Sequence, residues 1–110
     1  MQFDKFTIKS QEAVQNAQRL AEEQGHQEIQ PAHLVKAILT QVDGIVVPVL
    51  KKMGVDPALV LADLNSLLEK LPRVSGQASQ SYASRQLKKV LDDSFNAARQ
   101  MQDDYVSQEH

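Results

Sequence analysis

The sequence predicts an all-α fold built on a duplicated helical unit, and three observations predict it. Apolar residues recur at the i, i+3, i+4 spacing of helices, and no segment shows the period-two alternation of a strand. All four glycines, at 25, 44, 54 and 76, fall in the breaks between periodic segments. Most telling, a pattern occurs twice: a helix start, two turns of small and apolar residues, a short link, then Ile29 or Val106 four residues before a histidine. It runs from Thr7 to His33 and again from Ser84 to His110, at one ungapped offset of 77 residues. Identity is confined essentially to Ala21/Ala98 and His33/His110. The apolar or small class is kept at Ala13/Val90, Val14/Leu91, Ala17/Ser94, Leu20/Ala97 and Ile29/Val106.

The first helix is expected from Thr7 or Ile8 to Gln24, with Thr7 as N-cap and Gly25 just past its end, where a left-handed residue commonly stops a helix. Ala13, Val14, Ala17, Leu20 and Ala21 form a narrow face that lets a neighbouring helix approach closely. Phe3 and Phe6 precede the cap and are placed to staple the helix start. Pro31 suits the first position of a second helix that puts Leu34, Val35, Ile38 and Leu39 on one face and ends near Thr40. Asp43 and Gly44 break the chain before a short third helix, Ile45 to Met53, which tolerates Pro48 only near its start. Asp56 and Pro57 cap a fourth helix to Lys70, with Val60, Leu61, Leu64, Leu67, Leu68 and Leu71 as its stripe. Pro72 to Ser81 lacks an apolar period and reads as a flexible linker. A fifth helix, Ser84 to about Gln102, carries Leu87, Val90, Leu91, Ser94, Phe95 and Ala98 on one side, and Ser107 with Glu109 reads as the start of a sixth.

Composition narrows the function. At 110 residues the chain is one small domain, and 42% hydrophobic with 5% aromatic and no Trp implies a core of Leu, Val, Ile and Ala. Without cysteine there are no disulfides, no thiolate chemistry and no Cys-rich zinc sites, which suits a reducing compartment; the cytoplasm is the default expectation. A net charge of −2 with no basic stripe argues against nucleic acid. The most apolar stretch, Ile45 to Leu50, is six residues long and contains Pro48, far short of the roughly 20 a membrane span needs. MQFDKF does not open a secretory signal.

Few residues suggest chemistry. The glycines are isolated and no Gly-Lys-Ser/Thr sequence follows them, so a phosphate-cradling loop is not expected. His26, His33 and His110 lack metal-ligand spacing on one helix face. The repeated histidine is read first as structural, its ring packed at a helix start while it hydrogen-bonds a backbone or carboxylate group. The alternative is a phosphotransfer or adaptor module using His33, since Lys36 stands one turn away and could stabilise a phosphoryl group. Asp92/Asp93 and Asp103/Asp104 are adjacent in sequence, point apart on a helix, and read as solvated. What remains is a binding surface. A groove at the junction of two helical units, lined by Leu, Val and Phe, would receive apolar segments or amphipathic helices, although Leu91 and Phe95 could equally be core.

The runs KFTIKSQEAVQNAQRLAEEQGHQEIQPAHLVKAIL, LKKMGVDPALV, LEKLPRVSG and DDYVSQEH resemble the amino-terminal domain of Clp-family AAA+ chaperones, and LPRVSG points to the ClpB type. The resemblance covers essentially the whole chain. It implies a pseudo-twofold pair of four-helix repeats, the second truncated here, acting as substrate receptor and regulator in front of two ATPase modules. Those modules assemble into a hexamer, bind ATP and Mg, and thread unfolded or aggregated polypeptides, with other chaperones as potential collaborators. The resemblance carries substrate contact onto Thr7, Asp103 and Glu109, which would lie near one another, with Leu91 and Phe95 as apolar area. This chain departs from the family in having Asp93, Ala97 and His110 around the second-repeat groove, which favours a more polar surface. The expected organisation is a first repeat over 1–71, a linker over 72–83 and an incomplete second repeat over 84–110. That last stretch should pack back on the first repeat, swap with another copy, or fray. No cofactor, metal or catalytic residue is expected in this chain itself.

Overall fold

Two hydroxyls start the two longest helices in the same way. In the computed structural model, which describes residues 3–74 and 80–110, the Thr7 side chain accepts from the Ser10 N–H at 3.2 Å. The Ser84 hydroxyl accepts from the Leu87 N–H at 3.1 Å. Helix α1 follows over Ile8–Glu23 and, 77 residues on, α5 over Arg85–Gln100. Between them lie α2 (Pro31–Leu39), α3 (Val46–Lys52) and α4 (Pro57–Glu69), close to the predicted limits. The helix ends are duplicated too. Gly25 and Gln102 both take positive φ, 74° and 59°, and the next N–H, of His26 or Asp103, returns to the Ala21 or Ala98 carbonyl at 2.8 Å. This is the left-handed C-cap that glycine favours, here built once with glycine and once with glutamine.

The fold also contains two very short strands that the sequence period does not show. β1 (Glu28–Ile29) pairs in parallel with β2 (Tyr82–Ala83), Ile29 opposite Ala83, and an isolated parallel bridge joins Phe6 to Val106. Two residues are too few to display alternation. The offset of 77 relates Ile29 to Val106 and Phe6 to Ala83, so the two pairings are one seam used twice with the partners exchanged. Their hydrogen bonds match: the Ser84 N–H reaches the Ile29 carbonyl at 3.0 Å, and the Thr7 N–H reaches the Val106 carbonyl at 2.9 Å.

Packing follows the small-residue face of α1, where Ala13, Ala17 and Ala21 are at most 1% exposed. Ala17 and Ala21 share one core cluster with Phe6, Ile29, Ala37, Leu87, Leu91, Ala98 and Val106. Residues 84–110 therefore pack back onto the helices of the first unit. On α2 the expected face is shifted: His33, Ala37 and Leu39 are buried, Leu34 and Ile38 half-buried, and Val35 is 38% exposed. On α4 only Leu64 and Leu68 are buried, and Leu67 faces outward.

Phe3–Lys5 form a single 3-10 turn ahead of α1. The chain after α4 is tied down at both described ends: Val74 N–H donates to the Gly25 carbonyl at 2.9 Å, and the buried Ser81 hydroxyl donates to the His26 carbonyl at 2.5 Å. The predicted linker also includes residues 75–79, which lie outside the described residues. Ser107 stands where Gln30 caps α2, and its N–H donates to the His110 ring as the Gln30 N–H donates to His33. Residues 107–110 form one turn, closed by the His110 N–H on the Ser107 carbonyl at 3.1 Å.

Candidate functional site

An apolar opening lies between α1, α2 and α5. It is a groove of about 320 Å³ whose walls come from Ala13 and Val14 of α1, Leu34, Val35 and Ile38 of α2, and Val90 and Leu91 of α5, with Phe6 and Val106 at the seam. Its mouth carries Val35 and Val90, 38% and 44% exposed, while Leu91 at 5% belongs to the floor. The helical period explains the split: Val90 and Leu91 are neighbours about 100° apart, so one points into the core and the other up the wall.

Residues 106–110 form a polar rim on this groove. The Ser107 N–H donates to His110 Nδ1 at 3.0 Å, which leaves the His110 proton on Nε2, where it is donated to Asp103 Oδ2 at 2.7 Å. The His110 side chain is 1% exposed, so it is a strut rather than a contact group. Glu109 projects outward and accepts from the Ser107 hydroxyl. That hydrogen bond and one from its own backbone N–H hold its carboxyl below the usual range, with His110 adding to the effect. Gln108 spends its amide N–H on Gln41 and on the Lys9 carbonyl, leaving its buried Oε1 without a hydrogen-bond partner among the described residues. A groove with apolar walls and an ionised carboxylate on its rim offers apolar contact and a polar anchor to an extended or helical polypeptide segment.

The predicted site residues separate into two groups. Glu109 and Leu91 line the groove; Phe95 and Asp103 line a smaller neighbouring hollow with Lys5, Arg99, Asp104 and Val106, which borders both. Thr7 caps α1 and reaches the rim through its backbone bond to Val106. Phe95 is half-buried, its ring stacked on Phe6 at 5.2 Å between centroids. Of the departures noted in sequence, His110 lines the groove, while Asp93 points to solvent and pairs with Lys89 at 3.0 Å. Val35, Ile38 and Val90 were not singled out for binding. Val35 and Ile38 read simply as core stripe, and only the packing of α5 on α2 turns them into walls.

His33 is fully buried, which removes the exposed imidazole that phosphotransfer requires. Gln30 N–H donates to its Nδ1 at 2.9 Å, and its Nε2 lies 2.9 Å from Nδ1 of His26. Burial, with the His26 and Lys36 charges, pushes it down to about 4. Among the described residues there is no cluster of three or more His, Cys, Asp or Glu able to hold a metal, and no helix long and apolar enough to cross a membrane.

The Clp repeat N-terminal domain model matches residues 5–110. ClpB chaperone proteins of Mycobacterium bovis and Porphyromonas gingivalis are 41% and 40% identical over 104 and 110 residues, 94% and 100% of this chain. The chain spans 12% of each of those relatives. Among solved structures, the Hsp104 N-terminal domain of Candida albicans superposes with a TM-score of 0.83 at 26% identity, covering 96% of this chain and 69% of that one. A complex of the ClpV N-domain with a VipB peptide shares the fold, with a TM-score of 0.78 at 20% identity over 94% of this chain and 62% of its own. The fold and these matches agree: the chain belongs to the Clp repeat N-terminal domain family.

Proposed function

We propose that this domain is the substrate receptor of a ClpB-type disaggregase, capturing exposed segments of unfolded or aggregated polypeptides in the groove between α1, α2 and α5. The observation that carries the reading is an apolar groove whose mouth leaves Val35 and Val90 in solvent beside a hydrogen-bonding rim. That a related N-domain was solved with a peptide supports it. The domain does no chemistry of its own. Captured segments pass to ATPase modules of the parent chain, which supply ATP and Mg chemistry, act as a hexamer in the cytoplasm and cooperate with other chaperones. Thr7 and Asp103 set the rim, Glu109 supplies the polar contact, Leu91 the floor, and Phe95 props Phe6 from behind.

Fluorescence anisotropy with a labelled, permanently unfolded polypeptide tests this. Val35→Glu with Val90→Glu puts two charges on exposed mouth positions and is expected to weaken binding at least tenfold while leaving the helical circular dichroism unchanged. Unchanged binding would reject the groove. Alanine at Thr7, Asp103 and Glu109 together tests the polar assignment separately, with weaker binding expected.

A further inference from the structure

The two copies of the histidine motif differ in one partner. In the second copy His110 Nε2 meets the Asp103 carboxylate; in the first, 77 residues earlier, His33 Nε2 meets the imidazole of His26. The surrounding bonds dictate the protons. Gln30 N–H occupies Nδ1 of His33, so His33 carries its proton on Nε2 and donates it to Nδ1 of His26, whose own proton must then sit on Nε2. That Nε2 is buried, and the backbone of Leu68 on α4 lies against the His26 ring.

A third proton has only two sites, Nδ1 of His33 and Nδ1 of His26, and both already accept a hydrogen bond. Adding it breaks one of those bonds and puts a cation between rings 5.0 Å apart. The charges facing the pair give it no relief. Lys36 of α2 acts on His33, and Arg73, beyond α4, acts on His26. The nearby carboxylates, Glu22 of α1 and Glu28 of β1, stay charged but accept from the Ser81 N–H at 3.3 Å and the Gln30 side chain at 3.1 Å rather than from either imidazole. In the second copy the same proton would place an imidazolium against Asp103.

The backbone around the pair carries a seam. Carbonyls of Gly25, Gln27 and Ile29 accept from the N–H groups of Val74, Tyr82 and Ser84, and the His26 carbonyl accepts from the Ser81 hydroxyl. We propose that the His26–His33 pair is an acid-operated latch on this seam: a third proton opens the pair and releases β2 and the start of α5. The seam between Thr7 and Val106, backed by Asp103, stays closed and serves as an internal control.

Amide hydrogen exchange of the chain across pH about 7 to about 4 tests the proposal. Protection at Val74, Tyr82 and Ser84 is expected to fall by up to roughly tenfold per pH unit, the limit for uptake of one proton, while Thr7 and Val106 hold. His26→Asp, which copies the second motif, is expected to abolish the difference. Ring ¹⁵N signals of the unmodified chain give a second readout: the imidazoles should titrate together with the loss of protection. Both seams fading in parallel, seam protection unchanged by acid, or rings that stay neutral while the first seam opens would each overturn the latch.

Discussion

The ring of Phe6 stacks on that of Phe95, 5.2 Å between centroids and 29° between planes, which fastens the chain ahead of α1 to the middle of α5. Phe6 is 3% exposed and pairs through its backbone with Val106, so one residue joins core, seam and rim.

Phe6→Ala is therefore expected to cost about 3–5 kcal/mol, the usual range for removing a buried phenylalanine, read from urea unfolding. Ile8→Ala, two positions on but 74% exposed, should change stability by less than about 0.5 kcal/mol.

Thr7 and Ser84 perform the same capping step in the two copies. Alanine at either is expected to lower stability by about 1 kcal/mol, with serine at position 7 retaining most of it. A reduced affinity in Thr7→Ala at full folding would separate a binding role from the cap.

The duplicated C-cap makes a prediction of opposite sign at its two sites. Gly25→Ala forces a β-carbon into a residue with φ of 74° and should destabilise by about 1 kcal/mol or more. Gln102→Gly, at φ 59°, relieves the same strain and should stabilise by roughly 0.5 kcal/mol, since glycine's extra unfolded-state freedom offsets part of the gain. Thermal unfolding of both variants measures the contrast.

His33 is lowered to about 4 from an ordinary 6.5. Its neutral form is the folded one, so its stabilisation is complete above pH about 6.5 and is lost as pH falls toward about 4, by on the order of 3 kcal/mol. Glu109, lowered from 4.5, acts in the same direction at lower pH: its contribution is present above that value and is lost as pH falls below it. Chemical denaturation between pH about 7 and about 5, above the carboxylate range, should expose the histidine effect alone.

Much of this was legible in the residues. Thr7, Pro31, Asp56 and Ser84 are capping signals that act within one turn, and the α1 alanines fix a close contact by their size. The 77-residue echo announced the matching halves. What escaped the sequence depends on residues meeting across space. The two-residue strands have no period, His26 meets His33 only after the chain reverses at Gly25, and Val35 and Val90 read as core stripe until α5 lies across α2. The pairing of Asp103 with His110 likewise needs the turn at Gln102.

The most direct test of the receptor reading is to map, by NMR chemical-shift perturbation, where an unfolded apolar-rich polypeptide touches this domain. Perturbations are expected at Val14, Leu34, Val35, Ile38 and Val90 with Glu109 at their edge, all abolished by Val35→Glu with Val90→Glu. Perturbations confined to the outer face of α3 and α4, or the same map in the double variant, would contradict it.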